Sequence, residues 1–319
     1  MKVTVCMCTY NGETYIREQL DSLVNQTTIP NEIIVFDDCS TDNTLLIINE
    51  YVHKFSNITW IVQTNKKNKG WKINFKDAIN KAVGDFIFLC DQDDIWMLDK
   101  IEKMTKIMIE RKEIELLTCN PIVKYEKTGI KKYKYKSNGE IIKILKNSCL
   151  THTALPGCTF CFKKSIIKYF NNIWQEDFPH DSLLWKIAYL RETLYSYNYY
   201  GIIWRRHETN ATNKVKKQFS TENIKIHYEI ILLYNKCFKA LSQLPNITEN
   251  NTKKIKDVII MLDLRKVLYE KKTLFAFLKL MKYKKYYASR KAYWLDLLAI
   301  TKFNEYVGLK KWKWIKRIV

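Results

Sequence analysis

Residues 91–94 read DQDD, three carboxylates in four positions, set between the apolar run 86–90 and the apolar pair Ile95 and Trp96. Like charges at that spacing repel. A fold keeps them only with a bound cation, a basic patch or open water to offset the charge. A second acidic stretch, FDDCSTD over residues 36–42, carries Asp38, and Thr9 and Asn11 stand at the end of another apolar run. Such oxygen donors suit a hard divalent cation, Mg2+ or Mn2+, better than zinc. That ion keeps waters and bridges one or two carboxylates to phosphate oxygens, so the pattern points to the diphosphate of a nucleotide. The bland alternative is a set of helix caps and solvated turns, and Asp42 and Asp99 are read that way. A glycine cradle for phosphate is excluded, since the chain has 8 glycines and no P-loop motif.

The elements that must hold these residues alternate. Residues 3–9, 32–36, 58–62 and 86–90, and a run from Leu116, read as strands, while helical spacing covers 15–24, 44–55, 74–83 and 99–111. Alternation of this kind predicts βαβ units and a mainly parallel sheet. Ligands of such sheets bind beyond the carboxyl ends of the strands, where the strand order reverses. Thr9, Asn11, Asp38 and the DQDD acids all follow strands at that edge. Further on, the basic stretch 124–140 reads as a hairpin or a loop. Residues 181–189 read as a short helix, and residues 199–206 as a strand running into RRHETN.

At 319 residues and 47% hydrophobic content, the chain can build a large core, which excludes a disordered body. Its nine cysteines lack a regular framework spacing and read as small buried hydrophobes of a reducing compartment. The N-terminus lacks the pattern of a signal peptide, and no apolar run reaches the roughly 18 residues of a membrane span. The expectation is a cytoplasmic chain. After residue 213 Gly and Pro nearly vanish and long helical periodicity takes over. Stripes run through Ile224, Tyr228, Ile231 and Leu232, and through Val258, Leu262, Val267 and Leu268, which predicts an all-helical region over 214–319. Residues 251–319 hold 19 Lys and Arg against 5 Asp and Glu, so they supply +14 of the net charge of +21. Lys mixes with Tyr over residues 282–285 and with Trp over 310–317, a composition suited to an anionic membrane interface. A nucleic-acid surface is the rival reading. It is disfavoured because no such binding motif occurs and the acidic cluster would repel a phosphate polymer.

The segments VTVCMCTYNGETYIREQL, IIVFDDCSTDNT, GDFIFLCDQDDIW, PHDSLL and RRHETN resemble the family 2 glycosyltransferases. DQDDIW together with NFKDAI is similar to the bacterial rhamnosyltransferase-like branch that builds surface polysaccharides. The resemblance covers residues 1–213 and leaves the helical region outside. It implies an α/β fold of GT-A type, with a Rossmann-like, mainly parallel sheet flanked by helices. It also implies inverting, metal-dependent transfer of a sugar, rhamnose in this branch, from a nucleoside-diphosphate donor. The acceptor would be a glycan or a polyprenyl-linked glycan, and the enzyme would work at the inner face of the plasma membrane. A UDP-hexose or UDP-N-acetylhexosamine donor is the alternative.

By the same resemblance, Thr9 and Asn11 lie against the nucleotide, Asp38 accepts from the base N–H, and Asp91 lies near the ribose. Asp93 binds the metal as the second acid of a DxD motif, and Asp94 orients the loop. Asp181 matches the general base and His207 a position that completes the metal or diphosphate site, while His152 and His180 are read as satisfied structural or surface histidines. Asn74 matches a donor-binding position that many relatives precede with Arg. Here that residue is Ile73, so Lys69 or Lys72 is expected to bring the charge.

Overall fold

The computed structural model describes residues 1–208, 221–271, 273–290, 292–294 and 296. The chain divides into two compact units, Met1–Ile144 with Leu155–Asn213, and Leu145–Ala154 with Lys214–Val319. The short segment Leu145–Ala154 thus belongs to the second unit, although it lies within the first 213 residues.

The first unit is built on parallel strands, three of which (the first, second and fourth) bury their apolar runs on both faces, while the third is half-buried or exposed along its length. These are β1 (Val3–Thr9), β2 (Glu32–Asp37), β3 (Thr59–Thr64) and β4 (Phe86–Asp91). Continuous apolar runs of this kind belong to parallel sheets covered by helices on either side. The helices between them are α1 (Glu13–Val24), α2 (Thr44–Lys54) and α3 (Trp71–Lys81). In α1, Ile16, Leu20 and Leu23 recur at helical spacing and are fully buried. All four strands are parallel, in the order β3-β2-β1-β4. The chain therefore leaves β1 to one side, returns, and sets β4 on the other side. Strand order reverses between β1 and β4, where a ligand crevice is expected.

Beyond β4 come β5 (Ile95–Trp96), α4 (Lys100–Glu110), β6 (Leu116–Tyr125), β7 (Lys131–Lys132) and β8 (Ile141–Lys143). Helix α5 (Ser148–Thr151) lies in the second unit. The first unit resumes with β9 (Phe160–Lys163), α6 (Ile167–Ile173), α7 (His180–Leu190) and β10 (Leu194–Arg206). Strand β9 sits antiparallel between β4 and β6, and β10 runs parallel to β6. It follows that β6 and β10 point the same way as β1 and β4, and all four end at one edge. The last strand starts five residues earlier than its sequence suggests. Register shifts between Tyr197 and Ile202 break the alternation that would reveal it. The stretch 124–140 contributes only the two-residue β7, paired to β6, and β5 escapes sequence reading because two residues carry no period.

All nine cysteines are free, and seven of them are buried. Cys158 and Cys161 stand at C-x-x-C spacing, yet β9 and the turn before it carry both into the core.

The second unit contains α8 (Thr221–Leu241), α9 (Glu249–Lys271) and α10 (Leu274–Leu280). Ile231, Val258, Leu262 and Leu268 are buried as their stripes require, but Leu232 is exposed. Arg265 and the buried Asp296 form an ion pair at 2.7 Å, and Tyr287 donates to the same carboxylate at 2.7 Å. Ile224 and the basic run 310–317 lie outside the described side chains. Among the described residues, no helix is long and apolar enough to cross a membrane.

One polar node ties β6, α7 and β10 together. Arg191 donates to Glu115 at 2.7 and 3.1 Å, and Thr193 donates to it at 3.0 Å. Burial alone would raise the Glu115 carboxyl, but the bonds from Arg191 and Thr193 outweigh it and hold the carboxyl below its ordinary value. A group depressed in the folded state stabilises at neutral pH, and that stability is lost as pH falls through its folded pKa. Glu115→Ala is expected to lower unfolding free energy by roughly 2–4 kcal/mol at pH 7 in urea titrations, with the gap closing toward pH 3.

Candidate active site

The parallel register sets the geometry. Thr9 lies opposite Asp37 across β1 and β2, and Cys8 lies opposite Asp91 across β1 and β4. Two strand steps put Asp37 and Asp91 on the order of 10 Å apart at one sheet edge. The two acids after β2 then divide. Asp37 is fully buried and accepts from Thr9 Oγ1 at 2.8 Å, Ser40 Oγ at 2.5 Å and Ser40 N at 2.9 Å, so it shapes its own turn. Asp38 accepts from Asn65 Nδ2 at 2.9 Å, Lys69 N at 2.7 Å and Gly70 N at 2.7 Å, so it holds the loop that starts α3. A carboxylate offers about four acceptor positions, so Asp38 Oδ2 keeps room for one more donor.

The loops at this edge are stitched to one another. Asn11, at φ 47°, accepts from Thr41 N at 2.9 Å through its side-chain oxygen, and its own N–H donates to Ser40 Oγ at 2.9 Å. Gln92 accepts from Tyr10 N at 2.8 Å and donates to Tyr10 O at 3.0 Å, like one rung of a sheet. A Cβ at Gly12 would lie 2.4 Å from Gln92 Oε1, so the clip requires glycine there. Asp42, one position before Asn43, which is the N-cap of α2, accepts from Thr44 N at 3.0 Å. Asp99 instead pairs with Lys103 at 2.6 Å and accepts from the Tyr199 hydroxyl, because β10 passes close to the start of α4.

The DQDD acids take three different environments. Asp93 meets His207 Nε2 at 2.7 Å, across 114 residues of sequence, and the imidazole stacks on Tyr15 at 4.6 Å. Asp94 is fully buried and accepts from Arg205 N at 3.1 Å, which anchors the loop to β10. The Arg205 guanidinium itself donates to Glu18 at 2.6 Å. Asp91, Asp94 and Cys158 bring ligand atoms within 4.8 Å of one another. Burial first, then the charge of Asp93, pushes the Asp91 and Asp94 carboxyls upward. Burial and those two carboxylates also push the Cys158 thiol well up, so it is a neutral thiol and not a soft thiolate ligand.

Beneath the cluster lies Lys100, fully buried. Its Nζ donates to Cys158 O at 2.8 Å and sits 3.5 Å from the Trp96 ring centroid. Sequence reading misses this cation, because a Lys at the start of an amphipathic helix looks solvated. The donor set fits a divalent ion. The oxygens of Asp91 and Asp94 gather with the Cys158 sulfur, and Asp93 with His207 forms a separate pair on the same loop. Asp91 and Asp94 resist ionisation, and a bound cation would reverse that resistance.

Asp181 stands in the first turn of α7, close enough to Asp91 for its charge to raise that carboxyl. A Cβ on Gly157 would lie 2.8 Å from Asp181 Cβ, so Asp181 packs directly on the Gly157–Thr159 turn that carries Cys158. The neighbouring His180 is not a satisfied histidine. It is buried, stacks on Phe75 at 4.1 Å, and has no partner at Nδ1. Burial lowers its pKa to about 4, against the opposing charge of Asp181, so it is neutral. Asn74 is buried behind the loop, where its Oδ1 accepts from Asn65 Nδ2 at 2.6 Å. Lys72 donates to Asp177 O at 2.6 Å, and the Lys69 backbone N–H serves Asp38.

The family model for glycosyl transferase family 2 matches residues 4–170. The chain is 31% identical to the dTDP-rhamnosyl transferase RfbG of Shigella flexneri, over 64% of this chain and 72% of that protein. It is 26% identical to an uncharacterized glycosyltransferase of Haemophilus influenzae over 84% of each chain, a span that runs past residue 213 into the helical region. Among solved structures, S. aureus TarS 1-349 in complex with UDP-GlcNAc has a TM-score of 0.62 and 21% identity. That match covers 90% of this chain and 78% of that one. The likeness shows a common fold and again reaches beyond the first unit.

Gln92→Ala removes both bonds to Tyr10. Hydrogen exchange at the Tyr10 amide is expected to quicken about fivefold, the equivalent of one net hydrogen bond, while amides inside β4 keep their protection.

Proposed function

The chain belongs to glycosyl transferase family 2, and from that premise we propose that it is an inverting, metal-dependent enzyme that moves a sugar from a nucleoside-diphosphate donor to a glycan or polyprenyl-linked glycan in surface-polysaccharide synthesis. The dTDP-rhamnosyl activity named for the Shigella relative makes dTDP-rhamnose the first donor to test. The observation that carries the reading is the meeting of Asp93 with His207 at 2.7 Å, on the sheet edge that also holds Asp91. The proposed setting is cytoplasmic, against the anionic inner face of the plasma membrane.

In this reading Asp93 and His207 hold Mg2+ or Mn2+, which when bound offsets charge on the leaving diphosphate. Asp38 turns its remaining acceptor position toward the base N–H. Asn74 acts from behind by fixing Asn65, which donates to Asp38. Thr9 and Asn11 hold the β1 and β2 loops in the shape that receives the nucleotide. Asp91 faces the ribose, and Asp94, bonded to the Arg205 N–H, keeps the loop in register. Asp181 takes the proton of the acceptor hydroxyl as that oxygen attacks, a task typically worth about 10²–10⁴-fold in rate. Its seat on the Gly157–Thr159 turn keeps its carboxyl near the sheet edge.

Two substitutions test the roles separately. Asp93→Ala is expected to lose transfer with an unchanged thermal midpoint, and metal-dependent transfer at the native rate would remove Asp93 from the site. Asp181→Asn is expected to keep donor affinity within about threefold while turnover falls at least about a hundredfold. A thermal-shift panel of dTDP-, UDP- and GDP-sugars with Mn2+ decides the donor, because a ligand bound only by the native state raises the midpoint. Stabilisation by UDP-hexoses or UDP-N-acetylhexosamines alone would move the donor to that class.

A further inference from the structure

Helix α10 carries apolar residues on both sides, and the tight turn after it, Met281–Tyr286, extends the two faces through Met281 and Tyr283. Ala276, Phe277, Leu280 and Tyr283 are buried, and Phe277 stacks on Tyr293 at 4.7 Å. The opposite face presents Leu274, Phe275, Leu278 and Met281, each between 51% and 66% exposed. Both sets follow the same helical spacing, so one side fills the core of the second unit and the other is an apolar stripe without a core. Large exposed apolar residues gathered on one face mark an interaction surface rather than ordinary scatter.

The flanks of this stripe carry one sign of charge. Residues 271–290 contain 7 Lys and Arg and no Asp or Glu. Lys279, Lys282, Lys284 and Lys285 are exposed, and Lys279 Nζ lies 4.3 Å from the Phe275 ring centroid. The tyrosines that interleave these lysines in sequence point the other way. Tyr283, Tyr286 and Tyr287 are buried, and the Tyr286 hydroxyl donates to Asp257 at 2.9 Å. The aromatics of 282–285 are therefore not the surface that sequence suggests.

We propose that Leu274, Phe275, Leu278 and Met281 insert into the interfacial layer of an anionic bilayer, with Lys279, Lys282 and Lys284 on the lipid headgroups. The charge complementarity selects this occupant, because an apolar stripe whose own segment carries exposed lysines and no carboxylate matches a surface that is apolar below and anionic above. The inference deepens the membrane setting of the proposed function and rests on that part of it. Its test reads binding, not transfer, so the two can fail separately.

The test is flotation of the full chain with vesicles of phosphatidylcholine, with and without phosphatidylglycerol at about one third of the lipid. The expected result is binding to the anionic vesicles at least about tenfold stronger than to the neutral ones, weakened by salt. The double variant Phe275→Ser with Leu278→Ser should lose at least about tenfold of that binding with its helical circular dichroism unchanged. Lys282→Glu with Lys284→Glu should lose at least as much, since each lysine near the surface contributes about fivefold. Equal binding to both vesicle types would overturn the proposal, as would full binding by the serine variant. Removal of residues 297–319 abolishing binding that the serine variant retains would also overturn it. So would a native dimer that the serine variant turns into a monomer, which would make the stripe a contact between copies.

Discussion

Three aspartates within four residues repel one another by roughly 4 kcal/mol per close pair at an effective dielectric of about 20. The first unit is arranged around the means of holding them together. Asp94 is tied to the backbone of β10 through Arg205 N, Asp93 is met by His207, and Lys100 lies buried beneath the turn that carries Cys158. Arg205 and His207 come from the end of β10 and Lys100 from α4, so the cluster needs β4, α4 and β10 together. Burial first, and then this crowding, leaves Asp91 and Asp94 reluctant to ionise.

A site of this kind needs loops that stay in place once the ligand brings its own charge. Backbone amides and short polar side chains supply that rigidity. Asp38 gathers Lys69 N and Gly70 N, Asn11 donates to Ser40 and accepts from Thr41 across the first two loops, and Gln92 clips Tyr10 to the acidic loop. Because all three loops leave the carboxyl ends of adjacent parallel strands, small groups bridge them. The strand order reverses there, between β1 and β4. Asp181, from the first turn of α7, adds its charge to those that raise Asp91.

The helical unit follows a different logic. Its core is stapled by the buried Arg265 and Asp296 pair with Tyr287 hydrogen-bonded to the same carboxylate. Among the described residues, Lys285 pairs with Asp257 at 3.5 Å and Lys266 with Glu270 at 3.9 Å. Lys279, Lys282 and Lys284 are exposed near an apolar face that the unit's own core does not use.

Local pattern alone was enough for the strands and helices of the first half, for the acidic motifs at their ends, and for the helical character beyond residue 213. Those features depend on periodicity and on short runs of residue type, which a linear chain displays directly. The tertiary structure decided which aspartate serves which purpose, because Asp37 and Asp38 are neighbours in sequence but face a strand partner and a loop respectively. It also decided that Lys100 and Cys158 belong to the acidic cluster, and that His180 is buried with an unpartnered nitrogen. Only it showed that the tyrosines of the basic tail turn inward while Phe275 and Leu278 turn out. Burial and long-range pairing are properties of the packed chain, and residue spacing carries no record of them when the partners lie dozens or hundreds of positions apart.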